Sequence, residues 1–407
     1  MNIIGIIAEY NPFHNGHAHM IAEVRRREGD AYIVAVMSGS LTQRGETAII
    51  DKWRRAQMAA VGGVDLIIEL PTAFVLASAQ NFARGGVNLL KRLNVVTKIA
   101  FGAEYAEIDV LRQAANFLDT ETAQEKIRRE ILAGHSYAAA TRRVIAENSP
   151  IGSPGSNTVL ALEYLRAVTK SGANLKPLPI PRCGGAHLSE EILPQDGNIV
   201  AAAAIRRLWQ RGEFAATADF IPVASCKFLP EARDFSVAER LYAAFLARLV
   251  TLDPTAIASF AGVGEGLENR LLNGAKQAAT WDEFIRAVSG KRYPQGRISR
   301  AVMSILLNYT RERQAEFLRA GAQYIRVLAF NRRGREILRR LKQESSLPIV
   351  TRVSSLLNRR DFAQADARLT VAQKMLKLDV QATLLQNLAR SSPQLLFDDY
   401  LQSPTRQ

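Results

Sequence analysis

Two cysteines in 407 residues, Cys183 and Cys226, are too few and too far apart for a disulfide framework or a cysteine-held zinc site. Histidine is scarce too, with five residues, and neither H-E-x-x-H nor a His-Cys-Cys grouping occurs. No stretch approaches the roughly 18 uninterrupted apolar residues that span a bilayer. The opening run MNIIGIIAEYNPFHNGH has no basic segment and no long apolar core, so a secretory signal is not expected. A G-x-x-x-x-G-K-[ST] phosphate loop is missing, and Gly262–Gly266 is not a G-x-G-x-x-G following a strand. Together these absences predict a cytoplasmic protein and exclude the common thiol, zinc, membrane and phosphate-loop chemistries.

What the sequence has in excess is positive charge. Its 53 Lys and Arg against 39 Asp and Glu leave a net charge of +14. The excess is concentrated: residues 291–352 hold fifteen Lys and Arg, mostly Arg, against four Glu and no Asp. Such a region is the footprint expected of a polyphosphate partner, because neutralising phosphates releases condensed counterions. A solvated basic face would have the same composition. With 47% apolar residues the chain can bury sizeable cores, and its length predicts two or three domains.

The first two hundred residues alternate short β-branched runs with helical stretches. Asn2–Ala8, Ala31–Met37, Val64–Ile68, Lys98–Gly102 and Lys176–Ile180 read as buried strands. Gly16–Arg27, Asp51–Val61, Ala77–Leu93 and Thr158–Lys170 have helical periodicity. This alternation predicts an α/β, Rossmann-like core: a mainly parallel sheet with helices on both faces. Its ligand is expected at the carboxyl ends of the strands, near the topological switch point. Ile108–Glu147 reads as a helical insertion. Beyond about Asp219 the pattern becomes mostly helical, over Ser236–Thr251, Trp281–Val288, Arg297–Ala320 and Arg333–Gln343. Short extended runs at Tyr324–Phe330 and Pro348–Val353 bracket the last of these, and the final twenty residues read as loosely ordered. The expected division is a nucleotide-binding catalytic domain over 1–215, with the insertion at about 108–147, and a basic, mostly helical region over 216–407.

The first strand runs into Glu9-Tyr10-Asn11-Pro12-Phe13-His14-Asn15-Gly16-His17, and a helix follows at once. A helix N-terminus offers unpaired N–H donors and partial positive charge to a phosphate. Gly16 permits close approach of a ligand to the backbone. His14 and His17 can hydrogen-bond a triphosphate and stabilise charge as pyrophosphate departs. Either histidine alone could equally be structural, and NPFHNG could be only a tight turn. Set at the end of a first strand, H-x-G-H is the signature of the HIGH-type nucleotidyltransferase superfamily.

The resemblance extends further. GIIAEYNPFHNGH (Gly5–His17), SGSLTQRGETAIIDKWRRA (Ser38–Ala56), GGVDLIIELPT (Gly62–Thr72), SAQNFARGG (Ser78–Gly86), IAFGAE (Ile99–Glu104), GSPGSNTVLALEYL (Gly152–Leu165) and PIPRCGGAHLSE (Pro179–Glu190) occur in that order. As a set they resemble the tRNA(Met) cytidine acetate ligase family over the first half of the chain. The resemblance implies a two-step reaction. Acetate and ATP give acetyl-AMP, and the acetyl group passes to N4 of the wobble cytidine of elongator tRNA(Met). No membrane or protein partner is implied. Mg²⁺ is expected on the ATP phosphates, with no dedicated protein metal site.

Carried onto this sequence, the resemblance implies catalytic roles for His14 and His17. It implies an ATP site made of Ile7, Ala8, Glu9, Tyr10, Asn11, Pro12, Phe13, His14, Asn15, Gly16, His17, Ala18, His19, Met20, Gly102, Asn157 and Arg182. Asn157 alone reads equally as a helix cap, and Arg182 as a solvated side chain. Gln43, Arg44, Asp51 and Lys52 fall in a block associated with the active-site rim, although Asp51 could simply cap a helix. Glu69 could orient a neighbour or be structural. Arg332, Arg333, Arg339 and Arg340 are the expected tRNA contacts. One departure stands out. Where superfamily members usually carry a Ser/Thr-rich turn ending in Ile-Arg, this chain has Val200-Ala201-Ala202-Ala203-Ala204-Ile205-Arg206. Two other readings stay open: an adenylyltransferase acting on a small metabolite, which would have no use for the basic region, and a non-catalytic RNA-binding relative.

Overall fold

The computed structural model describes residues 1–182, 198–231 and 235–407. Cys183 and most of the block ending at Glu190 lie outside the described residues. Strands β1 (Ile3–Ala8), β2 (Tyr32–Ser38), β3 (Leu66–Leu70), β4 (Lys98–Ala103) and β5 (Lys176–Pro181) come from the five short β-branched runs. Three more follow late in the chain: β6 (Ile325–Phe330), β7 (Ile349–Val350) and β8 (Thr405–Arg406). All belong to one sheet, ordered β5-β4-β1-β2-β3-β6-β7, with β8 beside β6. Pairing is parallel from β5 to β3, and β6 joins β3 antiparallel. The sheet therefore does not stop at residue 215: three of its strands come from the basic half of the chain.

The order explains several local choices. β5 is an edge strand, so Pro177, Pro179 and Pro181, whose missing N–H groups all face the open side, cost no ladder bonds. Chain order runs outward from β1 in both directions, to β2 and β3 on one side and β4 and β5 on the other. This makes the carboxyl ends of β1 and β4 the switch point where an open sheet holds its ligand.

Helices α1 (Asn15–Glu28) and α2 (Lys52–Val61) pack on one face of the sheet, where Ile4, Ile6, Ile33 and Met37 meet Ile21, Val24 and Trp53. The other face, with Ile3, Val34, Val36 and Ile68, is covered from α3 (Thr72–Val75) and α4 (Ala79–Arg92). The insertion is all helical, as α5 (Ile108–Leu118), α6 (Glu121–Leu132) and α7 (Tyr137–Asn148), and leads into α8 (Ser156–Ser171). Next come α9 (Ala202–Gln210), α10 (Val223–Cys226), α11 (Tyr242–Val250), α12 (Pro254–Ala258), α13 (Leu267–Gln277) and α14 (Trp281–Val288). The latter part of this stretch has its own core around Phe245, Leu267, Phe284 and Val288. The remaining helices are α15 (Gln295–Leu306), α16 (Arg311–Ala320), α17 (Arg332–Glu344), α18 (Arg359–Ala363), α19 (Val371–Leu388) and α20 (Asp398–Leu401). Among the described residues no helix is long and apolar enough to cross a membrane.

Two expectations need correction. Arg297–Ala320 is two helices rather than one: Asn308 takes a positive φ of 51°, and Thr310 caps α16 by accepting from Arg313 N–H. Asn tolerates that conformation, and Thr is a good cap, so the break follows local preference. The final twenty residues are also not loose. β8 pairs with β6, Gln57 Nε2 donates to Thr405 Oγ1 at 2.8 Å, and Asp399 is 1% exposed.

That aspartate belongs to a buried ionic cluster. Lys52 Nζ lies 2.8 Å from Glu69 Oε1 and 2.7 Å from Asp399 Oδ1, and Arg326 Nη2 lies 2.9 Å from Asp399 Oδ1. All four side chains are 1% exposed or less. Beside them Asp379 accepts from Thr72 N–H and pairs with the Tyr324 hydroxyl, and burial pushes its pKa up to about 7. Gly39 is required next to this cluster, because a Cβ there would sit 2.1 Å from Glu69 Oε1. Lys52 thus leaves the active-site rim for the interior, and Glu69 is structural.

Candidate active site

A cavity of about 1310 Å³ opens at the switch point. Its floor is the carboxyl ends of β1, β4 and β5 with the start of α1, and α7, α8 and α9 form further walls. The far wall comes from the late helices, through Gly262–Glu265, Pro294, Gly296, Arg297, Arg300 and Arg311. The insertion touches that wall directly, where Ser136 N–H donates to Lys291 O at 3.1 Å.

His14 is the N-cap of α1, and its ring folds back so that Nδ1 accepts Gly16 N–H at 3.0 Å. His17 reciprocates, its Nδ1 accepting His14 N–H at 3.2 Å, which closes a capping box built from two imidazoles. The ring centroids are 3.8 Å apart. Gly16 is dictated by this arrangement, since a Cβ would come within 2.9 Å of His14 Cε1. With both Nδ1 atoms accepting, each neutral ring carries its proton on Nε2, the nitrogen on the opposite side of the ring. Burial holds the rings neutral. It lowers His14 to about 3, with Arg182 and Arg206 adding to the effect, and lowers His17 well below the ordinary range. The pair therefore presents two uncharged N–H donors at a helix N-terminus.

Of the stretch Ile7–Met20, the residues Ile7, Ala8, Glu9, Tyr10, Asn11, His14, Gly16, His17, His19 and Met20 line the cavity. Pro12, Phe13, Asn15 and Ala18 do not; Phe13 is core, and Asn15 ties to the backbone oxygens of Asn198 and Asp219. Gly102 and Arg182 meet on the β4–β5 side, where the arginine stem lies 3.4 Å from the position of a Cβ on Gly102. Asn157 is the second residue of α8, after the Gly155 cap, and its Nδ2 donates to Glu104 Oε1 at 2.7 Å. Glu104 also takes the N–H and hydroxyl of Thr158, so this carboxylate occupies the α8 N-terminus. Burial works to raise its pKa, but these hydrogen bonds prevail and hold it low. The alanine run begins α9 with no side-chain cap, and Val200, Ala201 and Ala202 line the cavity without hydroxyls. Arg206 is anchored on Asn11 O at 2.9 Å.

A sequence model of the HIGH nucleotidyl transferases matches residues 1–396. The tRNA(Met) cytidine acetate ligase of Acetivibrio thermocellus is 33% identical over 412 aligned positions, covering 97% of this chain and 96% of that protein. Its counterpart in Alkaliphilus metalliredigens is 36% identical over 418 positions, covering 96% and 94%. The chain belongs to the tRNA(Met) cytidine acetate ligase family. A crystal structure of Thermotoga maritima TmcAL bound with α-thio ATP matches it over 100% of both chains, at 29% identity and a TM-score of 0.87.

Two sets of arginines in this ligase-family member lie at opposite edges of the sheet. Arg332, Arg333, Arg339 and Arg340 all lie on α17, whose first turn is pinned at the amino ends of the strands, the edge opposite the cavity. There Arg333 pairs with Asp30 and stacks over Tyr32 at 4.1 Å, with Asp65 3.6 Å from its Nε. Arg340 pairs with Glu344, leaving Arg332 and Arg339 as the exposed members. The second set, Arg44, Arg142, Arg297, Arg300 and Arg311, faces the cavity from α7, the 42–46 turn and the late helices. Arg300 Nη1 donates to Gln43 O at 2.8 Å, and burial followed by Arg297 lowers it to about 10. No short motif marks this second set, because its members converge only when the chain folds back. Gln43 and Arg44 belong to this wall, and Asp51 is the cap of α2, accepting from Arg54 N–H at 2.9 Å.

Proposed function

We propose that this protein joins acetate to ATP, forming acetyl-AMP and pyrophosphate, and then transfers the acetyl group to N4 of the wobble cytidine of elongator tRNA(Met). What supports this reading is the pair of imidazoles, His14 and His17, each anchored through Nδ1 at the start of α1 and both lining the switch-point cavity. Acetate is fully ionised near neutral pH, so its attack on the α-phosphorus needs no base. The step requires alignment and stabilisation of charge on the phosphates, a role this reading gives to His14, His17, Arg206, Arg182 and the amides opening α9. Mg²⁺ enters as part of the substrate, on the ATP phosphates. With tRNA and ATP as substrates the setting is cytoplasmic. A cavity of about 1310 Å³ leaves space beyond a nucleotide for a second, larger substrate.

Labelled acetate tests the whole reaction. With ATP present and acetyl-CoA absent, label enters bulk tRNA as N4-acetylcytidine and is lost when ATP is omitted. Absence of label in both cases removes the reading. The α17 arginines are tested separately by the salt dependence of tRNA binding. Reversing Arg332 and Arg339 to Glu lowers the slope of log K against log salt by about 0.7–0.9 for each phosphate that is no longer neutralised. An unchanged slope transfers the tRNA-binding surface to the arginines at the cavity.

A further inference from the structure

Acetyl transfer has to move a proton that acetate activation never handles. As the N4 amine forms its new C–N bond the nitrogen must shed a proton, whereas AMP departs as a stable phosphate anion and needs no acid. Neither imidazole can receive that proton, because each Nδ1 already accepts a backbone N–H and each Nε2 is protonated. His19 is exposed on α1. Three of the cavity's carboxylates are committed: Glu104 to the start of α8, Glu163 to Arg166 at 2.8 Å and Glu265 to Arg297 at 3.0 Å.

Glu9 differs from these. It follows the last residue of β1 and lines the cavity a few residues before His14. Its Oε1 accepts Gln43 N–H at 2.6 Å, while its Oε2 takes no hydrogen bond among the described residues. The charged and titratable groups facing it are Arg206 on α9, Arg44 and Glu46 on the 42–46 turn, Arg55 on α2 and Tyr164 on α8. Arg55 Nη1 also donates to Glu9 O at 2.6 Å and fixes the backbone beneath the side chain.

We propose that Glu9 receives the cytidine N4 amine through Oε2 and takes its proton during acetyl transfer, an assignment that rests on the function proposed above. The N4 lone pair bonds to the acetyl carbonyl carbon, and the acyl C–O bond to phosphate breaks, its electron pair leaving with AMP. The N4 proton passes to Oε2 and from there to water. Burial raises the Glu9 pKa against the lowering pull of Gln43 N–H, Arg206 and Arg44, which makes it a stronger base than an exposed carboxylate. The same oxygen selects the base. A carboxylate accepts from the amine of cytosine and repels the carbonyl oxygen that uracil carries in its place.

The two half-reactions are measured separately: acetate-dependent ATP–pyrophosphate exchange for activation, and single-turnover transfer from supplied acetyl-AMP to tRNA for the second step. In Glu9→Gln, transfer is expected to fall at least about 100-fold further than exchange, and Glu9→Asp is expected to recover part of it. Wild-type transfer slows as pH falls through the Glu9 pKa, and the residual rate of Glu9→Gln does not. Equal losses in both half-reactions, undiminished transfer in Glu9→Gln, or an unaltered pH profile in that variant each overturn the assignment. If the wild-type protein passes no acetyl group to tRNA at all, the proposed function fails first and this assignment falls with it.

Discussion

Acetate-dependent ATP–pyrophosphate exchange in a His14→Asn variant falls by about 10²–10³-fold, the usual cost of losing one prearranged donor at developing charge. The choice of asparagine separates chemistry from folding. Its Oδ1 can stand where Nδ1 accepts Gly16 N–H, and Asn is among the best N-cap residues, so α1 keeps its cap. What is lost is the Nε2–H on the far side of the ring. His17→Asn behaves alike, since its Oδ1 replaces the acceptor for His14 N–H. Both variants are expected to unfold close to wild type and to bind tRNA with little change. Exchange within tenfold of wild type in either variant would remove that imidazole from the phosphate site. Loss of exchange together with loss of the folded state would mean that the cap, rather than the donor, had been tested.

Replacing Asp399 with Ala costs about 3–5 kcal/mol of folding stability, read as a lower urea midpoint, because two buried cations lose a shared counter-charge. Lys52 and Arg326 both contact Asp399 Oδ1, at 2.7 and 2.9 Å, and neither reaches water. Glu69 remains for Lys52, but it lies 3.9 Å from the Arg326 guanidinium Nε and cannot serve both equally. A loss below about 1 kcal/mol, the range of an exposed pair, would mean that water or a rearranged Glu69 takes up the charge. The cluster joins α2, β3, β6 and α20, so its loosening is felt across the sheet rather than only at the carboxyl end of the chain.

Legibility in the sequence follows the range of the interactions. β1–β5 are readable because a buried parallel strand is a short β-branched run, and that pattern is local. His14 and His17 are readable because a strand, a turn and a helix start lie within one continuous stretch. Lys52 is misplaced by the sequence and Glu69 left undecided because the partner that fixes the cluster, Asp399, is remote in the chain. For the same reason a polar carboxyl-terminal segment reads as loose, although its aspartate is buried by charges made much earlier. The α17 arginines show the converse. Their density is obvious, but which edge of the sheet they occupy depends on β6 running antiparallel to β3, which no composition reveals. The cavity arginines at 297, 300 and 311 count toward the basic region without any sign that they turn toward His14.

The ionic cluster also makes the sheet depend on chain order. Lys52, Glu69 and Arg326 all precede Asp399 in synthesis, so the counter-charge that Lys52 and Arg326 share is made after both cations. A chain cut between Arg326 and Asp399 keeps the whole nucleotide motif yet loses the clasp, and its β6 loses β8 as a neighbour. Such a fragment is expected to be digested by protease faster than the intact chain.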